Sequence, residues 1–305
     1  MNDPHAVGAA PFAPPISDPV SCGEDLTHDS MHVIEIARRF CGACEDYHVM
    51  RAFNRRSGHR SGVATDRPEL IEAIGGLVKH RAERNNAPID LVIAGAGDTG
   101  VLATAAHAAW VGSGGQLSRV RFTALDLCRT PLELCRYYAD RHGITLTTQP
   151  VDLVTTDTAF SADIVVLHSL FRQLPGDVHV PMLRKLGGWL KPGGSILFSV
   201  SLRSSENRDK DMARRLEKLA DVRAAIEDGR FPIGEPKDVF LARLDRLKGK
   251  RSVAGKLFSS ADDVRRLFAS AGMQPTTFLE LSRHSHVAGG DVYPLERVFS
   301  ILRPI

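Results

Sequence analysis

The chain has 305 residues, enough for two domains or for one large α/β domain with additions. Hydrophobic residues make up 43% and charged residues 25% of it, so a full core forms without help from disulfides or structural metals. Lys plus Arg total 39 against 36 Asp plus Glu, a formal +3 that is too mild for the concentrated basic face nucleic acid requires. The same balance gives no reason to expect an acidic membrane surface as partner.

No apolar run approaches the roughly 18 residues of a membrane span. The first 20 residues carry Asp3, His5 and five prolines, without the basic start and apolar middle of a secretory signal. Five cysteines, an odd number in a long chain, do not resemble a disulfide framework. The expectation is a reduced, cytoplasmic protein.

Residues 1–27, rich in Pro, Ala and Asp, read as a flexible tail. Residues 28–63 read as helical through Met31, Ile34, Ile36, Ala37 and Phe40, with a basic, glycine-broken stretch from Arg51 to Arg60. Asp66 is placed to cap a helix opening at Pro68, with Leu70, Ile71, Ile74, Leu77 and Val78 as its apolar face. From residue 89 short apolar strands alternate with helices, the pattern of a parallel sheet covered on both faces. Strands are predicted at 89–94, 120–125, 144–151, 162–168 and 195–201. Thr130, Pro131 and Glu133 write a capping box, and Gly143 stops the helix it opens. A Lys-Pro-Gly-Gly turn, Lys191 to Gly194, precedes the fifth strand.

Residues 203–251 break this rhythm with 14 Lys or Arg and 10 Asp or Glu, and with Leu216, Leu219, Val222, Ala225 and Ile226 at helical spacing. The segment is too long for a connector and reads as a helical insertion. Ser260 and Asp263 form another capping box, opening a helix that stops at Gly272. Two strands, about 276–281 and 297–302, finish the chain.

Gly95, Gly97 and Gly100 stand between a strand and a helix, where backbone can approach a nucleotide closely. A tight turn without a ligand is the competing reading. Asp126, ending the second strand, would lie beside that loop, where a carboxylate can accept both hydroxyls of a ribose. Asp126 follows Gly100 by 26 positions, long for a dinucleotide fingerprint, which expects about 20.

With the run Leu186-Gly-Gly-Trp-Leu-Lys-Pro-Gly-Gly-Ser-Ile-Leu197 between a helix and the fifth strand, the chain resembles the class I S-adenosylmethionine-dependent methyltransferases, most of all their small-molecule members. The resemblance spans roughly residues 85–303. It implies a Rossmann-like, seven-stranded, mostly parallel sheet with helices on both faces, whose seventh strand runs antiparallel between the fifth and sixth. It divides the chain into the tail, an N-terminal helical cap segment at 28–84 and a methyltransferase domain at 85–305, with the insertion at 203–258 completing the cap.

The resemblance also implies the site. Gly95, Ala96, Gly97 and Asp98 would flank the methionine part of S-adenosylmethionine. Asp126 would bind its ribose, with Leu127 beside it, and Asp152 and Leu153 would approach the adenine. His168 and Ser169, at the end of the fourth strand, would face the transferred methyl, His168 as general base. The family places an acidic residue two positions before the first glycine; here Ile93 stands there, and Asp98 is a candidate substitute. His168-Ser-Leu-Phe171 is not the motif of amino-directed nucleic-acid methyltransferases.

Tyr47, Arg51 and Arg55, in the segment that folds over the cofactor in such members, and His284 and His286, in a loop between the last strands, are candidate acceptor contacts. Cys41, Cys44 and His48 have a spacing that suits a metal, but the favoured reading is buried thiols on one helix face, and no metal is expected. Cys128 and Cys135 read as core. The expected activity is methyl transfer to an oxygen or nitrogen of a small-molecule acceptor, with no nucleic acid or membrane partner and the oligomeric state open, a homodimer included. The rivals are a protein or RNA methyltransferase, a nicotinamide-dependent oxidoreductase and a non-catalytic binding protein of the same fold.

Overall fold

The computed structural model describes residues 33–41, 47–49, 66–202, 208–230, 233, 235–249, 258–286 and 292–305. The tail, Arg51 and Arg55 lie outside them. The central sheet has seven strands: β1 (Ile89–Ala94), β2 (Val120–Asp126), β3 (Leu146–Pro150), β4 (Ala162–His168), β5 (Leu190–Ser201), β6 (Met273–His286) and β7 (Val292–Pro304). Their order is β3-β2-β1-β4-β5-β7-β6. The first five are mutually parallel, and β7 runs antiparallel to both β5 and β6. This is the arrangement the methyltransferase resemblance implies.

β1 and β4 are buried almost throughout, which is why both read as continuous apolar runs. Helices α2 (Arg67–Arg84), α3 (Thr99–Gly112) and α4 (Arg129–His142) join one side of the sheet in a core with Leu91, Ile93 and Phe122. Helices α5 (His179–Gly188) and α8 (Ala261–Ser270) cover the other, around Val165, Phe198 and Trp189. A third cluster joins α1 (Val33–Phe40), residue Val49 and the insertion helices α6 (Arg208–Glu227) and α7 (Lys237–Gly249) through Ala37, Leu219, Val222, Phe240 and Leu244, with Leu134 of α4 as its anchor on the main domain. The N-terminal segment and the insertion therefore share one apolar core, although some 170 positions separate them.

α2 and α3 cross where both expose glycine. A Cβ on Gly112 would stand 2.3 Å from the Gly75 carbonyl oxygen, so only glycine admits this approach. The Ser260–Asp263 capping box forms as read, with both reciprocal hydrogen bonds present. Gly143 ends α4 at φ 63°.

Several local expectations are overturned. Thr130 and Glu133 do not form a capping box: α4 starts at Arg129 after Cys128, Glu133 turns to Arg136 at 2.6 Å, and the buried Thr130 hydroxyl lies 3.0 Å from Cys41 Sγ. Asp66 precedes α2 but makes no side-chain cap bond, because its carboxylate turns into the sheet. The Lys-Pro-Gly-Gly turn lies inside β5 rather than before it. Ala162 pairs with Leu190 and Ile164 with Ser195, so the extra residues bulge outward, with Gly193 at φ 72°. Lys191 there holds Asp90 at 2.5 Å and Asp163 at 2.7 Å, a structural role at the amino ends of β1 and β4.

The last two strands are longer than their apolar centres, since backbone pairing carries them to His286 and Val292. His284 and His286 are thus strand residues opposite Pro294 and Val292, not loop residues; their side chains lie outside those described. β3 is shorter than read and ends at Pro150, leaving Asp152 in a turn.

Candidate active site

The carboxyl ends of β1, β2 and β4 meet at a loop whose backbone is bent by Gly95 and Gly97, at φ 78° and 64°. Gly95 and Ala96 donate their N–H groups to the Leu125 carbonyl at 2.9 and 3.0 Å, tying the loop to β2. Gly97 donates to Asp126 Oδ2 at 3.0 Å, and Cys128 donates to Oδ1 at 2.9 Å. Asp126 is thereby fixed against the glycine loop, as the sequence anticipates. Burial pushes its carboxyl above the ordinary range, and the two backbone N–H groups only partly offset this. Each of its oxygens keeps a second lone pair that can accept a hydroxyl.

The space next to Gly97 is open: a Cβ there would meet nothing within 4 Å. Next to Gly95 it is filled by the Leu170 side chain, 2.9 Å from an ideal Cβ. Asp98 accepts from Gly100 N–H at 2.7 Å and caps α3, so one of its oxygens serves the helix and not a ligand. Ile93 is core, paired between Ala124 and Val166.

Leu127, directly after Asp126, is 70% exposed. Past β3, Asp152 Oδ1 accepts from Val154 N–H at 2.9 Å, and Leu153 is buried. Lys185 of α5 holds this turn by donating to the carbonyls of Leu153, Val154 and Thr156 at 3.1, 3.0 and 2.8 Å. Nothing local marks Lys185, since its partners belong to a turn about 30 positions away.

At the end of β4 the structure builds a network that the sequence did not suggest. His168 is nearly buried, and its Nε2 donates to Asp66 Oδ2 at 3.1 Å. Arg297 of β7, 2% exposed, places Nε 2.5 Å from Asp66 Oδ1. It donates to Ser201 Oγ at 2.5 Å, Ser169 Oγ at 3.0 Å and Ser199 Oγ at 2.8 Å, and Nη2 lies 3.4 Å from His168 Nε2. Ser199 Oγ in turn donates to Asp66. Burial alone would raise the Asp66 carboxyl, but the His168 hydrogen bond and the Arg297 charge hold it well below the usual carboxylate range. Ser169 is the sole non-glycine residue with positive φ among those described, at 58°. Such a conformation costs of order 1 kcal/mol or more and clusters at functional sites.

Two segments overhang this end of the sheet. His48 stands above the loop, its Nδ1 donating to the Gly97 carbonyl at 3.1 Å. Tyr47, beside it, is exposed and meets the His48 ring edge-on at 5.3 Å between centroids. β6 and β7 run beyond the end of β5, and Arg283 there pairs with Glu69 of α2. Cys128 corrects its core reading: it is half-buried at the start of α4, whereas Cys135 is buried. Cys41, His48 and Cys128, from three places in the chain, bring one donor atom each within 4.8 Å of one another.

The strand order, with β7 antiparallel between β5 and β6, is the one that the class I methyltransferase resemblance implies. The sequence matches no family model and no curated protein. Among solved structures, it is similar to a chain described with the conversion of a disulfide bond into a thioacetal group in echinomycin biosynthesis, at 20% identity over 72% of this chain and 76% of that one, TM-score 0.47. It is also similar to the mitomycin 7-O-methyltransferase, at 16% identity, 94% and 69% coverage and TM-score 0.44. The 1,6-didemethyltoxoflavin-N1-methyltransferase of Burkholderia thailandensis follows at 14% identity, 95% and 94% coverage and TM-score 0.45. At such values the chemistry has to be judged from the site itself.

Proposed function

We propose that this protein is an S-adenosylmethionine-dependent methyltransferase that moves a methyl group to an oxygen or nitrogen of a small-molecule acceptor. The observation that carries the reading is the hydrogen bond from Gly97 to Asp126. It joins a glycine loop after β1 to a carboxylate at the end of β2, in a sheet whose seventh strand is inserted antiparallel between the fifth and sixth. In that frame Asp126 accepts the ribose hydroxyls, Leu127 and the turn at Asp152 and Leu153 flank the adenine, and Gly95 to Asp98 run along the methionine part. With Ile93 in the core, Asp98 is the proposed substitute for the acidic contact to the amino group of the cofactor.

The cofactor supplies the methyl group and its own leaving group, so the protein aligns the acceptor and receives its proton. His168 and Ser169 end β4, where the acceptor approaches. His168 is the proposed base, with Asp66 as the positioning residue that orients its ring through Nε2. α1, α6 and α7 share a core anchored on Leu134 of α4; acting as a cap, this group favours a small acceptor over a polymer. Tyr47, and Arg51 and Arg55 from the segment outside the described residues, are the proposed acceptor contacts of the cap, with His284 and His286 on the β6 side.

Thermal unfolding with S-adenosylhomocysteine tests the reading. At 100 times its dissociation constant the ligand adds about 2.7 kcal/mol of stability. Asp126→Ala is expected to abolish the shift, and an unchanged shift in that variant refutes the ribose assignment. Undiminished turnover in His168→Ala, with an acceptor found by screening, retires His168 as base.

A further inference from the structure

We infer that Cys41, His48 and Cys128 form a zinc site that fastens the N-terminal segment to the glycine loop. The sequence spacing of Cys41, Cys44 and His48 suits a metal, although buried thiols on one helix face are the favoured reading there. Cys44 lies outside the described residues, among which the fold gathers a cluster from three segments: the end of α1, the helical turn at 47–49, and the residue that opens α4. One donor atom from each lies within 4.8 Å of the others, with His48 buried and both thiols half-buried.

In a tetrahedral site with Zn–S near 2.3 Å and Zn–N near 2.0 Å, donors stand about 3.5–3.8 Å apart. Closing the cluster from its present spacing therefore takes movements of about 1 Å, within reach of side-chain rotation. None of Cys41, Cys128 and Cys135 is in a disulfide.

The surroundings of the cluster point the same way. His48 Nδ1 donates to the Gly97 carbonyl at 3.1 Å, which leaves the lone pair on Nε2. Metal-ligating histidines are held in this manner, one ring N–H on a backbone carbonyl and the other nitrogen on the metal. The Thr130 hydroxyl, 3.0 Å from Cys41 Sγ, is placed to donate to a thiolate. Two thiolates and a neutral imidazole balance the charge of Zn²⁺, which a half-buried position requires. Binding converts two thiols to thiolates and releases two protons, and the fourth position is left to water.

The consequence is mechanical. Zinc joins Cys41 and His48, on the cap, to Cys128, whose N–H holds Asp126 Oδ1. The cap and the loop with its carboxylate become one unit.

The test is metal content and cobalt spectroscopy of the full chain purified under reducing conditions without chelator. One zinc per chain is expected. Replacement by Co²⁺ is expected to give the visible absorption of a tetrahedral site and a thiolate-to-metal charge-transfer band. Cys41→Ser and Cys128→Ser should each weaken zinc binding at least tenfold, while Cys135→Ser, whose thiol faces the Asp98 carbonyl, leaves it unchanged. Should a variant fail to fold, the wild-type protein decides: zinc should protect Cys41 and Cys128, and no other thiol, from alkylation mapped by mass spectrometry. Absence of stoichiometric zinc after reconstitution, unaltered affinity in both serine variants, or a Cys41–Cys128 disulfide whose reduction brings no zinc uptake overturns the proposal.

Discussion

Replacing Asp66 with Asn is expected to be costly, because the carboxylate is the counter-charge of a guanidinium that has no access to water. Arg297 is 2% exposed and Asp66 fully buried, and among the described residues the other polar partners of Arg297 are the hydroxyls of Ser169, Ser199 and Ser201 and the ring of His168. Breaking a buried pair from one side costs about 3–5 kcal/mol. With an unfolding entropy of about 2.1 cal/mol/K per residue, a chain of this length loses roughly 5–8 °C in Tm. Thermal unfolding at pH 7 followed by circular dichroism measures it.

The sign of the pH dependence follows from the carboxyl. Its folded pKa lies below the unfolded value of about 3.9, so its stabilisation is complete above that value and is lost as pH falls toward the folded pKa. The gap between wild type and Asp66→Asn should therefore be full at pH 7 and close by about 1.4 kcal/mol per pH unit below pH 4. The double variant Asp66→Leu with Arg297→Met should recover much of the loss, since an apolar pair of similar volume is often as stable as the ion pair. A shift under about 1 °C in Asp66→Asn, or a gap that does not narrow on acidification, would refute the reasoning.

Two further outcomes are expected. Gly112→Ala, which in an open helix would stabilise, should lower stability by about 1–3 kcal/mol in chemical denaturation, because its Cβ meets the Gly75 backbone; a gain would mean that α2 and α3 are further apart than described. Leu127→Ala should weaken S-adenosylhomocysteine by about 1–2 kcal/mol, or roughly 5–30-fold by calorimetry, through lost apolar contact with the adenine; equal affinity would remove Leu127 from the site.

What could be read in the sequence was local or periodic. β1 and β4 have the bounds their apolar runs predict, because strands buried on both faces leave no other pattern. Ser260 with Asp263, and Gly143, act within one helical turn and behave as read. The glycine loop and Asp126 were legible because a parallel sheet brings successive strand ends together.

The rest depends on partners far along the chain. Asp66 has the position of a cap residue, but Arg297, 231 positions away, offers it a full charge in a dry site. Cys128 reads as core from its spacing to Cys135, and nothing local signals that the fold brings Cys41 and His48 to it. His284 and His286 read as loop because polar residues continue the strand. Pairing with β7, not hydrophobicity, extends it.

The central claim is that the loop at Gly95–Asp98 and Asp126 hold S-adenosylmethionine. Titration calorimetry of the wild-type protein with S-adenosylhomocysteine and, in parallel, with NADH tests it most directly. One S-adenosylhomocysteine per chain with no heat from NADH is the predicted result. Binding of NADH alone, or of neither ligand at millimolar concentration, would contradict it.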